Sequence, residues 1–121
     1  MKKPRNTRLT PQDKRCIALA ISYIDRHFIN RLSPEQVSIE VNLSKQKLQA
    51  GIFQATGYSL HQYLRRVRVE KAKGMLDGTN DPVKAIAFAT GFKRSSHFIE
   101  TFKELTDMTP SQYRIRDAAE K

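Results

Sequence analysis

The sequence predicts an all-α fold in which seven helices form two similar halves. Three observations lead to this prediction. Apolar residues recur at the spacing of amphipathic helices in seven segments, and most of these segments begin at a residue that caps helices. No segment alternates polar and apolar residues as a strand does. The second half of the chain also repeats the first at a period of about 50 residues.

The three helices of the first half begin at capping residues. Thr10 caps the first helix. The apolar stripe of this helix consists of Ile17, Ile21, Ile24 and Phe28. Ser33 caps a short second helix, and Ser44 caps a third helix that ends at Gly57. Glycine suits this helix end because it adopts the left-handed conformation without steric cost.

A longer helix and a polar break follow. Ser59 opens a fourth helix that extends to about Leu76, with apolar residues along one side. The break that follows it is rich in turn-forming residues. The Asp-Pro pair at 81–82 then starts a fifth helix, in which we expect Ile86 and Ala89 to be buried.

Two more helices complete the second half. Arg94 or Ser95 begins the sixth helix. Its residues Phe98 and Phe102 lie one turn apart and are predicted to face inward. Thr109 caps a last, short helix.

The repeat is most specific around the helix ends. Range 56–63 matches range 106–113, where Thr, Gln and Tyr coincide and Ser pairs with Thr. The turns match with one insertion, because Leu43 corresponds to Phe92 and the second unit has one extra residue in its turn. Each half therefore contains a helix-turn-helix unit, in which the apolar residue of the tight turn holds the two helices at a steep angle.

Composition restricts the partners. The 121 residues carry a formal net charge of +10 and a pI near 10.1, which predicts a polyanionic partner, with nucleic acid the leading candidate. A membrane partner is not expected, because no apolar run approaches the roughly 20 residues of a spanning helix. The first ten residues lack the apolar segment of a signal peptide, so we expect a cytoplasmic protein.

The chain lacks the residue groups that catalysis or metal binding would need. We find no paired carboxylates, no nucleophile beside a base and no phosphate-binding loop, which predicts that the chain is not an enzyme. His27, His61 and His97 show no metal-ligand spacing, so neither a metal nor another cofactor is expected. Cys16 is the only cysteine, and its apolar surroundings predict a buried thiol.

Several motifs between Leu32 and Arg116 occur in a specific combination. They are LSPEQV at 32–37, LSKQKL at 43–48, TGYS at 56–59, GF at 91–92, SHF at 96–98, FK at 102–103 and TPSQYR at 109–114. In this combination the sequence resembles the AraC/XylS family of bacterial transcription regulators. The resemblance covers about two-thirds of the chain and is most specific in the second half.

The resemblance implies two helix-turn-helix subdomains, 10–58 and 78–117, joined by a long linker helix over 59–77. A flexible basic arm, 1–9, and a tail, 118–121, would flank them. It also implies two recognition helices that enter successive major grooves of double-stranded DNA, about 34 Å apart, so that a monomer could read an asymmetric site.

Residue-by-residue matching to the family gives the candidate base contacts, and the positions of the cations give the candidate phosphate contacts. The implied base-reading residues are Gln46, Gln49, Ala50, Ser95, Ser96, His97 and Glu100. Glu100 departs from the arginine often found at its position. The candidate phosphate-binding residues are Ser44, Lys45, Lys47, Arg65, Arg66, Arg68, Lys93, Arg94 and Lys103. About six such contacts would weaken binding roughly a thousandfold between 50 and 200 mM salt.

The regulatory outcome stays open at this point. The resemblance implies activation through contact with RNA polymerase, and repression by occlusion is the alternative. A helical protein-interaction module, such as an anti-activator without sequence-specific DNA binding, is the other class that the pattern allows. The chain is either a stand-alone regulator or the C-terminal portion of a longer one.

Overall fold

A computed structural model describes the backbone of residues 7–120 and the side chains of residues 7–116. Its seven helices are α1 (Pro11–Arg26), α2 (Pro34–Glu40), α3 (Lys45–Thr56), α4 (Leu60–Gly78), α5 (Val83–Ala89), α6 (Ser95–Thr106) and α7 (Pro110–Glu120). No strand occurs in this described part, and the all-α prediction is confirmed. The chain divides into two compact units, Met1–Leu64 and Arg65–Lys121, and the division falls inside α4.

The first unit has its own hydrophobic core. The buried residues of this core are Ile17, Ala20, Ile24, Leu32, Val37, Val41, Leu48, Ile52, Leu60 and Leu64. One polar contact ties the start of α4 to α1, because the Tyr63 hydroxyl donates to Asp25 Oδ1 at 2.9 Å. Burial, with this hydrogen bond and the nearby carboxylate, raises the pKa of Tyr63 to about 12.

The second unit has a separate core built around aromatic rings. Its buried residues are Val69, Ala72, Leu76, Ile86, Ala87, Phe92, Phe98 and Phe102. The ring centroids of Phe98 and Phe102 lie 5.7 Å apart, and Tyr113 of α7 continues the row at 5.4 Å from Phe102. Tilted and edge-to-face pairs of this kind add to the stabilisation that burial provides.

The prediction that Ala89 is buried was wrong. Ile86 and Ala87 are buried, whereas Ala89 is exposed. The inward stripe of α5 continues at Thr90, one turn after Ile86, and not at Ala89. Thr90 is fully buried and its hydroxyl donates to the carbonyl of Ile86 at 2.8 Å, so it is satisfied within the core.

The predicted caps at Thr10, Ser33 and Ser44 are present. The Thr10 hydroxyl accepts from the Asp13 N–H, and the Asp13 carboxylate accepts from the Thr10 N–H, each at 3.0 Å. Ser33 forms the same reciprocal box with Gln36, and the Ser44 hydroxyl accepts from the backbone of α3 at 3.1 Å. Each cap satisfies backbone donors that the first turn of a helix leaves without partners.

The sequence repeat is also a repeat of hydrogen bonds. After α3 and after α6 the chain enters the left-handed region at the equivalent residues Gly57 (φ 82°) and Asp107 (φ 64°). The threonine before each of them donates its hydroxyl back to the preceding turn, at 2.7 Å in the first unit and 2.8 Å in the second. In both units a glutamine side chain then accepts from the N–H of the next capping residue at 2.9 Å. The two halves therefore fold their helix ends in the same way.

The turn between α2 and α3 and the turn between α5 and α6 follow one geometry. The chain reverses through a left-handed residue, Asn42 (φ 56°) in the first unit and Gly91 (φ 96°) in the second. The N–H of the next residue closes the turn, from Leu43 to the Ser38 carbonyl at 2.9 Å and from Phe92 to that of Ala87 at 3.0 Å. Asparagine and glycine are the residues that tolerate this conformation.

Two arginines of α7 fix that helix to the end of α4. Arg114 donates to the carbonyls of Leu76 and Thr79, each at 3.3 Å. Arg116 makes a two-pronged ion pair with Asp77, at 3.0 and 3.2 Å, and its guanidinium lies 3.5 Å from the centroid of the Tyr113 ring. The guanidinium lowers the pKa of Asp77 below its usual value.

Candidate nucleic-acid interface

The predicted recognition helix of the first unit corresponds to α3. Its buried side, which includes Leu48 and Ile52, packs against α1 and α2. The opposite side carries Gln46, which is exposed, and Gln49, which is half-buried. Both glutamine side chains therefore lie on the outer side of α3, as the sequence predicted.

Ala50 cannot read bases, and this prediction was wrong. The residue is 0% exposed, and the following residues Gly51 and Ile52 are also buried. The reason is that α3 packs against two helices, α1 and α2, which widens its buried side beyond the stripe that the sequence indicates. The α3 helix approaches α1 closely at Gly51, because a Cβ added to Gly51 would lie 2.2 Å from Ile17 Cδ1.

The predicted recognition helix of the second unit corresponds to α6. Phe98, Thr101 and Phe102 are buried on its inner side. On the outer side Ser96, His97 and Glu100 are exposed and Ser95 is half-buried. The His97 ring lies in an edge-to-face arrangement with the buried Phe92 ring, with 5.6 Å between the ring centroids. These four polar residues are thus accessible on one helix, in agreement with their placement in the sequence.

Ile99 is a residue of this face that the sequence analysis did not single out. It is 37% exposed and lies between Ser96 and Glu100 on α6. The repeat contained the signal, because the 50-residue offset makes Ile99 the equivalent of Gln49. Part of this branched apolar side chain is accessible among polar neighbours, and thymine presents a methyl group to such side chains in the major groove.

Two candidate phosphate ligands of α3 are held by carboxylates. Lys45 Nζ lies 2.7 Å from Glu35 Oε2 of α2. Lys47 Nζ lies 3.1 Å from Asp13 Oδ2 at the start of α1. The Asp13 pKa is lowered, first by the Thr10 backbone hydrogen bond and then by Lys47. Lys45 likewise lowers the pKa of Glu35 through their hydrogen bond. Both lysines therefore link α3 to a neighbouring helix.

The three candidate arginines of α4 differ in exposure and in their neighbours. Arg65 lies 3.9 Å from Glu104 of α6, which is a loose ion pair. Arg68 is half-buried, its guanidinium carbon is 5.8 Å from the centroid of the Phe92 ring, and burial lowers its pKa. Arg66 is exposed. Arg68 therefore has a packing role in addition to its charge.

The cations of α6 and its turn are placed differently. Lys93 and Arg94 precede the helix and Lys103 lies in its last turn. All three are exposed, and within the described part of the chain none of them pairs with a carboxylate. Arg94 is the N-cap of α6 and makes no side-chain cap hydrogen bond. The second unit thus presents unneutralised positive charge at both ends of its recognition helix.

Other predicted features lie away from this surface or outside the described residues. Cys16 is partly exposed, so the prediction of a buried thiol was wrong. Residues 1–6 of the predicted arm are outside the described part, and residues 7–9 lie near α3, where Gln54 donates to the Thr7 carbonyl at 2.7 Å. Among the described side chains, no three His, Cys, Asp or Glu residues group as a metal site would require. Within the same residues, no helix combines the length and apolarity needed to cross a membrane.

Comparison with known proteins identifies the family. The family description "Helix-turn-helix domain" matches residues 37–116, a range that includes both turns, α3 and α6. Over 99 residues the chain is 34% identical to the HTH-type transcriptional activator RhaS of Klebsiella pneumoniae (strain 342), an alignment that covers 81% of this chain. The chain belongs to the AraC/XylS family of transcription regulators. The predicted family is therefore confirmed, and so is the prediction that the chain is not an enzyme.

Solved structures of AraC-type domains have the same fold. The C-terminal domain of AraT, a response regulator from Geobacillus stearothermophilus, superposes with a TM-score of 0.78 at 33% identity, covering 89% of this chain and 87% of that one. An AraC-type transcriptional regulator from Chromobacterium violaceum gives 0.81 at 23% identity, covering 90% and 97%. The AraC-type region is only part of longer relatives, since the chain spans 36% of RhaS and 12% of a Staphylococcus aureus (strain COL) regulator.

Proposed function

We propose that the chain binds double-stranded DNA in a sequence-specific manner as a monomer, with α3 and α6 in successive major grooves. The repeat carries this proposal: both units form the same helix-turn-helix hydrogen bonds, and α3 and α6 both expose polar side chains on the side away from their core. A recognition helix needs a rigid inner side and an adaptable outer side, and each unit provides both. The net charge of +10 favours the same polyanionic partner.

The side chains of the two helices suit different base edges. Gln46 and Gln49 on α3 can form bidentate hydrogen bonds with adenine, and each such contact contributes about 1–3 kcal/mol of discrimination. On α6, Ser96 can pair with several bases and Glu100 can accept from the N4 amino group of cytosine. Ile99 adds an apolar contact for a thymine methyl group. The first unit therefore reads chiefly by hydrogen bonds, and the second unit by a mixture of polar and apolar contacts.

Transcription activation is the regulatory outcome that we propose. RhaS is described as a transcriptional activator, and RNA polymerase is the partner that an activator bound beside a promoter must reach. The cytoplasm, where chromosomal DNA and polymerase are accessible, is the corresponding location.

Selection from randomised duplexes tests this function. We expect an asymmetric motif with two half-sites whose centres lie about 10–10.5 base pairs apart. In the selected duplex, Gln49→Ala should relax the preference in one half-site only, with a loss of about 5- to 150-fold in affinity for that sequence. A palindromic motif would contradict binding as a monomer.

A matched variant separates base reading from general charge effects. Lys93→Ala should weaken binding to the selected duplex and to an unrelated duplex by similar factors, because a phosphate contact carries no sequence information. If Gln49→Ala and Lys93→Ala both cause small, equal losses on every duplex, base reading by α3 is refuted. Binding of duplex DNA without any selectable motif would instead favour the helical protein-interaction alternative.

A further inference from the structure

The lysines of α3 and the cations around α6 differ in one physical respect, which is the presence of a carboxylate partner. Lys45 and Lys47 each contact an acidic oxygen within about 3 Å, on α2 and α1 respectively. Lys93, Arg94 and Lys103 have no such partner within residues 7–116. From the sequence alone these five residues were equivalent candidates.

We propose that Lys93, Arg94 and Lys103 make the salt-dependent contacts with DNA phosphates. Lys45 and Lys47 are instead positioning residues, which hold α3 against α2 and α1 respectively. This inference rests on the proposed function and assigns different tasks to the two units. The first unit contributes mainly base reading, and the second contributes most of the electrostatic attachment.

Counterion release explains why the pairing matters. A lysine that neutralises a phosphate displaces a condensed cation from DNA, and each such contact adds about 0.9 to the slope of log affinity against log salt. The ion pair of Lys45 and Glu35 carries no net charge, so it attracts the DNA less than an unpaired lysine does. If Lys45 moved to a phosphate, the Glu35 carboxylate would be left facing the polyanion. The same holds for Lys47, whose partner Asp13 is 8% exposed and also caps α1.

Salt titrations of single variants test the assignment. Lys93→Gln, Arg94→Gln and Lys103→Gln should each reduce the slope by about 0.9, which is about a 3.5-fold smaller loss of affinity between 50 and 200 mM salt. Lys45→Gln should leave the slope unchanged. It should lower the ratio of affinities for selected and unrelated duplexes by at most about fivefold, and Lys45→Arg, which keeps the ion pair, should restore that ratio.

A substitution that releases a lysine gives the sharpest test. Glu35→Gln removes the partner of Lys45, so the freed ammonium should gain a phosphate contact and steepen the slope by about 0.9. Glu40→Gln is the matched control, because Glu40 lies on the same helix, is exposed, and has no ion pair within the described residues. Glu40→Gln should change the slope far less than Glu35→Gln.

The outcomes distinguish this inference from the function on which it rests. Equal slope changes for Lys45→Gln and Lys93→Gln, or equal effects of Glu35→Gln and Glu40→Gln, would overturn the division of tasks while leaving DNA binding intact. If the unmodified chain does not bind duplex DNA, the proposed function fails and this inference fails with it.

Discussion

Adding one carbon atom at Gly51 tests how closely α1 packs against the recognition helix of the first unit. A Cβ on Gly51 would lie 2.2 Å from Ile17 Cδ1 and 2.3 Å from Ile17 Cγ1. Because Ile17 is 4% exposed, either its side chain must change rotamer among buried neighbours or α1 and α3 must move apart to restore ordinary contact. Overpacking of this kind costs about 1–3 kcal/mol.

The same substitution at Gly74 serves as an internal control. Gly74 lies within α4, and no atom outside its own helix segment is within 4 Å of a Cβ built there. Alanine is a better helix former than glycine, so Gly74→Ala should stabilise the protein by about 0.5–1 kcal/mol. Gly51→Ala has the same intrinsic gain. The difference in stability between the two variants therefore isolates the packing cost, about 1–3 kcal/mol.

Equilibrium urea unfolding measures the two stabilities, and hydrogen exchange shows where they change. For Gly51→Ala we expect lower protection of backbone amides in α1 and α3, and lower affinity for the selected duplex, because Gln46 and Gln49 move with α3. Gly74→Ala should leave DNA affinity unchanged. Equal stabilisation by both variants would refute the reasoning, since it would mean that α1 and α3 do not approach each other as described.

Three further predictions concern the second unit. Replacing the thymine proposed to contact Ile99 with deoxyuridine removes one methyl contact, so it should weaken binding of the unmodified chain about fourfold. The same replacement should have little effect on binding of the Ile99→Ala variant. An equal effect on both proteins would exclude Ile99 as the residue that reads thymine. Gly91→Ala should destabilise the unit by about 1–2 kcal/mol in urea unfolding, since φ is 96° there, and an unchanged midpoint would contradict this. Arg116 lowers the pKa of Asp77 in the folded protein. The ion pair therefore stabilises the fold fully at pH values above the unfolded-state pKa of Asp77, near 3.8. This stabilisation is lost as the pH falls through the lower pKa of the folded state. Asp77→Asn should therefore flatten the loss of stability below about pH 4 in acid unfolding, and an unchanged acid profile would argue against the pair.

Features determined by local sequence could be predicted well. A threonine or serine followed three residues later by an aspartate or a glutamine forms a cap within one turn, so Thr10 and Ser33 identified their helices. The repeat located both turns, because Leu43 and Phe92 follow left-handed residues in the same geometry. The repeat also makes Ile99 the equivalent of Gln49, but an apolar side chain does not by itself indicate a base-reading residue.

Features determined by packing between distant segments could not be predicted. Alanine fits an exposed or a buried position equally well, so only the contact of α3 with both α1 and α2 reveals that Ala50 is buried. The ion pairs of Lys45 and Lys47 involve residues of other helices, and no spacing rule within α3 predicts them. The same limitation explains Ala89, because the register of a seven-residue helix depends on its neighbours.

The central claim, that α3 and α6 occupy successive major grooves at the same time, is tested most directly by changing the spacing of the selected duplex. Inserting five base pairs between the two half-sites rotates them to opposite faces of the helix, about half a turn apart. The account predicts that affinity then falls to that of a duplex carrying a single half-site. Undiminished affinity for the lengthened duplex would contradict simultaneous binding by the two helices.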